Sequence, residues 1–174
     1  MRNAVSEPVT VRLADCFGRT LMWMRPQFFG RISKLLADRD TLAVMRWHGL
    51  RNADAFTATG EWTIRRTGLL SGSAEMMDVA TRRTVLTLRT FFRKGTFESS
   101  EGVTYAWHRT GWFRLEIAVL SPQGTELLRC AGGLGFRGRG RLTLQGSATN
   151  EPLLDQLVLA SWYVIQQLHR RRHN

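Results

Sequence analysis

Most of the chain alternates between apolar and polar residues in short runs, and that alternation predicts strands. PVTVRLAD sets Val9, Val11 and Leu13 on one face and Thr10 and Arg12 on the other, the pattern of a half-buried strand. LMWM (21–24) fits a strand, Pro26 breaks it, and FFGRISKLLA fits either a strand or a short helix. TLAVMRWHG sets Ala43, Met45 and Trp47 against Leu42 and Val44, and RNADAFTATG reads as a polar connection. EWTIRRTG places Trp62 and Ile64 on one face. AEMMDV and TVLTLRTFF flank a hairpin loop at 80–83, and KGTFESSEG is a short strand between glycine turns at Gly95 and Gly102. VTYAWHR sets Val103, Tyr105 and Trp107 against Thr104, Ala106 and His108. WFRLEIAVL sets Phe113, Leu115, Ile117 and Val119 against Arg114, Glu116 and Ala118. SPQG (121–124) has the chemistry of a tight turn. TELLRCA, a glycine-rich loop and RLTLQG, with Leu142 and Leu144 inward, complete the series.

Residues 153–168, LLDQLVLASWYVIQQL, depart from this period. Their polar residues sit at the ends, Asp155 and Gln156 in front and Gln166 and Gln167 behind, and the middle is apolar but for Ser161 and the Tyr163 hydroxyl. A helix apolar on every side must be surrounded by protein or by lipid. Thr149 or Asn150 can cap it, Pro152 suits its first turn, and HRRRHN places positive charge at its C-terminal end. Its length, about 24 Å at 1.5 Å per residue, is short of the ~20 apolar residues a membrane span needs. It suits the axis of a barrel of short strands, ~20 Å tall.

Turn signals recur along the whole body and no helix intervenes, so a sandwich or barrel is expected and a parallel sheet with crossover helices is not. The expected architecture is mainly β: one domain over 1–174, a closed antiparallel barrel of short strands (about 8–146) around a buried hydrophobic C-terminal helix (about 151–169), with a basic tail at 170–174.

A chain of 174 residues with 43% apolar content can bury a core. Its net charge of +11 points to an acidic partner, although the basic residues are scattered and only Lys34 and Lys94 are lysines. Cys16 and Cys130 stand far apart, which indicates neither a disulfide framework nor a zinc site. The first fifteen residues lack a continuous apolar core, so no signal peptide is read, and a cytosolic home is expected, with peripheral attachment at a membrane as its variant.

The order EWTIRRTG, hairpin, GVTYAWHRTGWFRLEIAVLSPQGTELL, LVLASWYVIQQL resembles the tubby-like C-terminal superfamily, which includes the phospholipid scramblases and the LURP-one-related proteins, and a group of uncharacterised bacterial proteins. The resemblance spans about residues 41–168. It implies a barrel of about a dozen strands closed around a hydrophobic last helix. The chain shows no acidic calcium loop and no cysteine cluster for acylation, and the phosphoinositide-binding basic residues of tubby proteins find no matching positions. The resemblance therefore implies a fold and carries over no site residue.

GLGFRG (133–138) matches a dinucleotide fingerprint in letters, but strands precede and follow it, which is the context of a barrel loop. The arginines of that stretch, Arg137, Arg139 and Arg141, and the cluster Arg170, Arg171 and Arg172 are the anion-binding candidates, since guanidinium forks suit phosphate and carboxylate groups. Histidines 48, 108, 169 and 173 share no ligand spacing, no nucleophile elbow is present, and no cofactor motif stands in its required context. No catalytic, cofactor or metal residue is assigned. The expected function is a non-enzymatic binding or scaffold module for an acidic membrane surface or an acidic protein. A helix-anchored membrane protein and a carrier of small hydrophobic ligands or lipids are the alternatives, and nucleic acid ranks lower because few exposed aromatics interleave with basic residues.

Overall fold

The structure, a computed structural model, describes residues 9–25, 30–49, 51–67, 72–111, 114–132 and 139–171. Twelve strands follow one another in sequence: β1 Leu21–Met24, β2 Ile32–Ala37, β3 Asp40–His48, β4 Asn52–Thr57, β5 Gly60–Thr67, β6 Ser73–Asp78, β7 Thr84–Thr90, β8 Lys94–Ser99, β9 Thr104–Arg109, β10 Glu116–Leu120, β11 Glu126–Gly132 and β12 Gly140–Leu144. Each pairs antiparallel with its sequence neighbour, and β1 closes on β12 through Leu21↔Leu142 and Trp23↔Gly140. Closure removes the free sheet edges that would otherwise invite pairing with other chains. Register shifts at Leu35/Leu36, Met76/Met77 and Val119/Leu120 mark bulges, which bend the strands as a closed wall requires.

The period-2 pattern sorts the wall into faces. Along β9 Tyr105 and Trp107 are buried while Thr104, Ala106 and His108 are exposed. Other outward positions carry Glu61, Arg65, Glu75, Arg89, Lys94 and Arg141, all exposed. The helix α1, Leu154–Arg171, occupies the lumen, and every residue from Leu157 to Gln166 is buried. Its aromatic side chains stack on the two strands that flank β2: Trp162 on Trp23 of β1 at 5.0 Å, and Tyr163 on Trp47 of β3 at 5.6 Å. Ser161 returns its hydroxyl to the Leu157 carbonyl at 2.6 Å, which serves that hydroxyl inside the core. Among the described residues no helix is long and apolar enough to cross a membrane.

The polar ends of α1 are bolted to the barrel. Asp155 accepts hydroxyl hydrogen bonds from Thr57 and Thr59 at the β4–β5 turn, at 2.6 and 2.5 Å. Glu151 caps the helix by accepting the Leu153 N–H, and also takes the Tyr105 hydroxyl at 2.7 Å. At the other end Arg25 donates to Gln166 at 2.7 Å, and Tyr163 donates to the Arg51 carbonyl at 2.6 Å.

Several local expectations are corrected. Residues 9–12 form no strand, and Leu13–Cys16 is a 3-10 turn whose Leu13 and Cys16 are fully buried; the apolar spacing there reports burial rather than a ladder. The supposed polar connection at 51–60 contains β4, with Ala53, Ala55 and Thr57 inward. Gly95 lies within β8 rather than in a turn. A Cβ there would sit 2.6 Å from the Trp107 indole, so the glycine makes room for that ring. β7 ends at Thr90, leaving Phe91 and Phe92 in the connection. Thr149 turns its hydroxyl to the Gly146 carbonyl, so Glu151 and not Thr149 serves the helix. Trp112 and Phe113 and the glycine-rich stretch 133–138 lie outside the described residues.

Candidate functional site

An antiparallel barrel has two mouths, and alternate connections belong to each. At the mouth where α1 begins, the connections carry many carboxylates: Asp38 and Asp40 around the β2–β3 turn, Asp78 at the end of β6, Glu101 before β9, Glu126 opening β11 and Glu151 before the helix. Many are already engaged. Arg19 reaches Asp38 at 2.9 Å and Asp40 at 3.1 Å, and those bonds raise its pKa. Asp78 accepts the backbone N–H and hydroxyl of Thr81, which lowers its pKa. Glu126 is held down chiefly by Arg129, at 2.7 Å.

The opposite mouth, where α1 ends, is basic. Arg25 follows β1, Arg51 precedes β4, and Arg65 and Arg66 lie at the end of β5. Arg93 precedes β8 and Lys94 opens it, Arg109 ends β9, Arg114 precedes β10, and Arg139 precedes β12. The helix adds Arg170 and Arg171. The carboxylates nearest this end are paired: Asp54 with His48 at 2.5 Å, and Glu116 with the Thr110 hydroxyl at 2.5 Å and with Arg129.

At the centre of this mouth the helix end forms a layered cradle. The Arg170 guanidinium lies over the Trp47 ring at 4.6 Å, and Trp47 stacks on Tyr163. Burial lowers the pKa of Arg25, and burial and then the charge of Arg25 lower that of Arg170. Burial pushes the Tyr163 phenol up to about 12 against the pull of the surrounding arginines. Two half-buried cations disfavour one another here, and an anion between or above them offsets both the repulsion and the lost hydration.

Of the residues expected from sequence, Arg139, Arg170 and Arg171 are brought to this one mouth. Arg141 lies on the outer wall, in the row of Met22 and Ala131, and faces away from the cradle. Arg137 and Arg172 lie outside the described residues. Sequence reading missed Arg25, since the chain between β1 and β2 has no readable period, and missed Gln166 as its partner. The tryptophans 23, 47, 62, 107 and 162 fill the lumen with the helix. Among the described residues no group of three or more metal-ligating side chains converges. Comparison with protein-family models, with curated proteins and with solved structures finds no match to this chain.

Proposed function

We propose that this protein is a non-catalytic binding module whose basic mouth engages an anionic surface. The observation that carries the reading is the sorting of charge along the barrel axis: arginines crowd the mouth where α1 ends, and carboxylates crowd the mouth where it begins. A net charge of +11 spread evenly would attract anions without orientation. Sorted in this way it gives the molecule a direction of approach, which steers association. The filled lumen favours recognition at the rim over enclosure of a small ligand. Kinship with the tubby-like barrels is part of the same proposal and rests on architecture alone.

The test is binding to immobilised polyglutamate and to phosphatidylglycerol-containing vesicles over a salt series, comparing two exposed charge reversals. Lys94→Glu with Arg139→Glu alters the basic mouth, and Arg39→Glu with Arg83→Glu alters the other. The first pair should weaken binding and flatten its salt dependence, and the second should leave both nearly unchanged. Equal effects of the two pairs, or no binding by the parent to either polyanion, would sink the reading.

A further inference from the structure

Two aromatic side chains break the rule that the large apolar residues of this fold face inward. Phe91 is 61% exposed and Phe92 79% exposed, at the tip of the β7–β8 hairpin. Among the described residues the only other large apolar side chain counted as exposed is Val79, at 39% and at the opposite mouth. The tip is built, not frayed. The Phe91 N–H donates to the Lys94 carbonyl at 2.9 Å, Thr90 N–H to Gly72 at 2.9 Å, and Arg109 N–H to Arg93 at 2.8 Å. The backbone of the turn is thus tied to both neighbouring connections while the two rings project into solvent.

Cations surround the rings. Arg93 and Lys94 follow them, and Arg89, paired with Glu98 at 3.7 Å, precedes them; all three are exposed. The last helical arginine stands beside the base of the hairpin: a Cβ on Gly72 would lie 2.1 Å from the Thr90 carbonyl oxygen and 3.2 Å from Arg171 Nη2. Two adjacent phenyl rings on a convex tip, ringed by positive charge, differ from an aromatic hot spot for a folded protein, which sits in a flat patch with a polar rim at its edges. They fit an apolar phase that deforms around them beneath an anionic layer.

We infer that Phe91 and Phe92 are a membrane wedge: the basic mouth docks on an anionic lipid bilayer, and the two rings enter its acyl boundary while Arg93, Lys94 and Arg171 stay at headgroup level. The inference rests on the proposed anion-binding mouth and gives it a partner, a lipid surface. Charge brings the protein to the membrane and fades with salt, whereas ring burial persists when charge is screened.

The experiment is flotation with phosphatidylglycerol/phosphatidylcholine vesicles and with phosphatidylcholine alone, at low and high salt, for the parent, the Phe91→Ser/Phe92→Ser variant and the Lys94→Glu/Arg139→Glu variant. Both rings are exposed, so the serine variant should melt with the parent, which is checked first. The parent should bind anionic vesicles and keep a salt-resistant fraction, and the serine variant should bind them roughly tenfold or more weakly and lose that fraction. A Phe92→Trp variant should add a blue-shifted emission only when anionic vesicles are present. Equal binding by the parent and the serine variant, with all of it removed by salt, would overturn the wedge and leave the charge-steered mouth standing. Absence of vesicle binding with retained polyglutamate binding overturns the lipid partner in favour of an acidic protein. Loss of both overturns the proposed function as well.

Discussion

Asp155 is the test of how the helix is held. It is 8% exposed, at the first turn of α1, with the Thr57 hydroxyl at 2.6 Å and the Thr59 hydroxyl at 2.5 Å. Asp155→Ala removes two hydrogen bonds to a charged acceptor, each worth about 1.5–3 kcal/mol in general. The Thr59 bond belongs at the bottom of that range, since Thr59 is exposed and water replaces the carboxylate there. Thr57 is buried, and Thr59, 3.1 Å away, relieves only part of its loss. A carboxylate at a helix N-terminus contributes about 0.3–1 kcal/mol more. Together these give an expected loss of roughly 2–4 kcal/mol. Urea unfolding followed by far-ultraviolet circular dichroism should show a lower midpoint at an unchanged m-value. Combining Asp155→Ala with Thr57→Val should show a coupling of about 1 kcal/mol or more. An Asp155→Ala variant within ~0.5 kcal/mol of the parent, or strict additivity with Thr57→Val, would refute the clamp and mean that water already serves this carboxylate.

Leu157→Asp, placing a charge at a fully buried position of the axle, should prevent folding, a cost of at least about 4 kcal/mol; a soluble variant with a cooperative melt would overturn the lumen placement. Gly140→Ala puts a Cβ 2.4 Å from the Trp162 ring and 2.6 Å from the Ala131 carbonyl oxygen, and should cost about 1–3 kcal/mol by thermal melt; an unchanged melting temperature would count against that close contact. Burial raises the pKa of both tyrosines, Tyr163 to about 12, with the Tyr105 phenol held up further by its bond to Glu151. Above about pH 10 the unfolded chain loses phenolic protons that the native state keeps, so stability is full below pH 10 and falls as pH rises through the folded values. A full phenolate absorbance step near pH 10, with the far-ultraviolet spectrum intact, would contradict this. Burial likewise raises the Cys16 and Cys130 thiols, so an aromatic disulfide reagent should react only after denaturant is added, and rapid labelling of the native protein would be the contrary result.

Where apolar periodicity and burial coincide, the residues declare their structure. The alternation of β5 and β9 is legible because each has one face inward and the other outward, whereas β3 buries Leu42 to Met45 in succession and reads as a strand from its apolar run. The helix is legible because nothing but complete enclosure tolerates nine consecutive positions as apolar as 157–165, and those positions are all buried. The tight turn at 121–124 is legible from its proline and glycine, and the Gly124 N–H closes it on the Ser121 carbonyl. β4 is not legible: its inward residues are two alanines and a threonine, small side chains that carry little hydrophobic signal. Their size belongs to the neighbours they pack against, which the sequence does not show.

That missed strand is a second reason, beside the unreadable stretch between β1 and β2, why the candidate site was only partly visible. In an antiparallel barrel the chain reverses at every strand, so the mouth to which a connection belongs follows from the parity of strands before it. Leaving out β4 puts Arg25 and Arg51 at the mouth opposite the Phe91–Phe92 tip and the end of the helix. The sequence by itself determined the net charge, the strand chemistry and an axle in need of enclosure. Closure of β1 on β12, with the helix threaded through it, decided which arginines converge, which carboxylates are kept away from them, and where two phenylalanines are left in water. The physical reason is that alternation and periodicity are local properties of a chain, whereas a mouth gathers the ends of twelve strands that meet only after the sheet has closed.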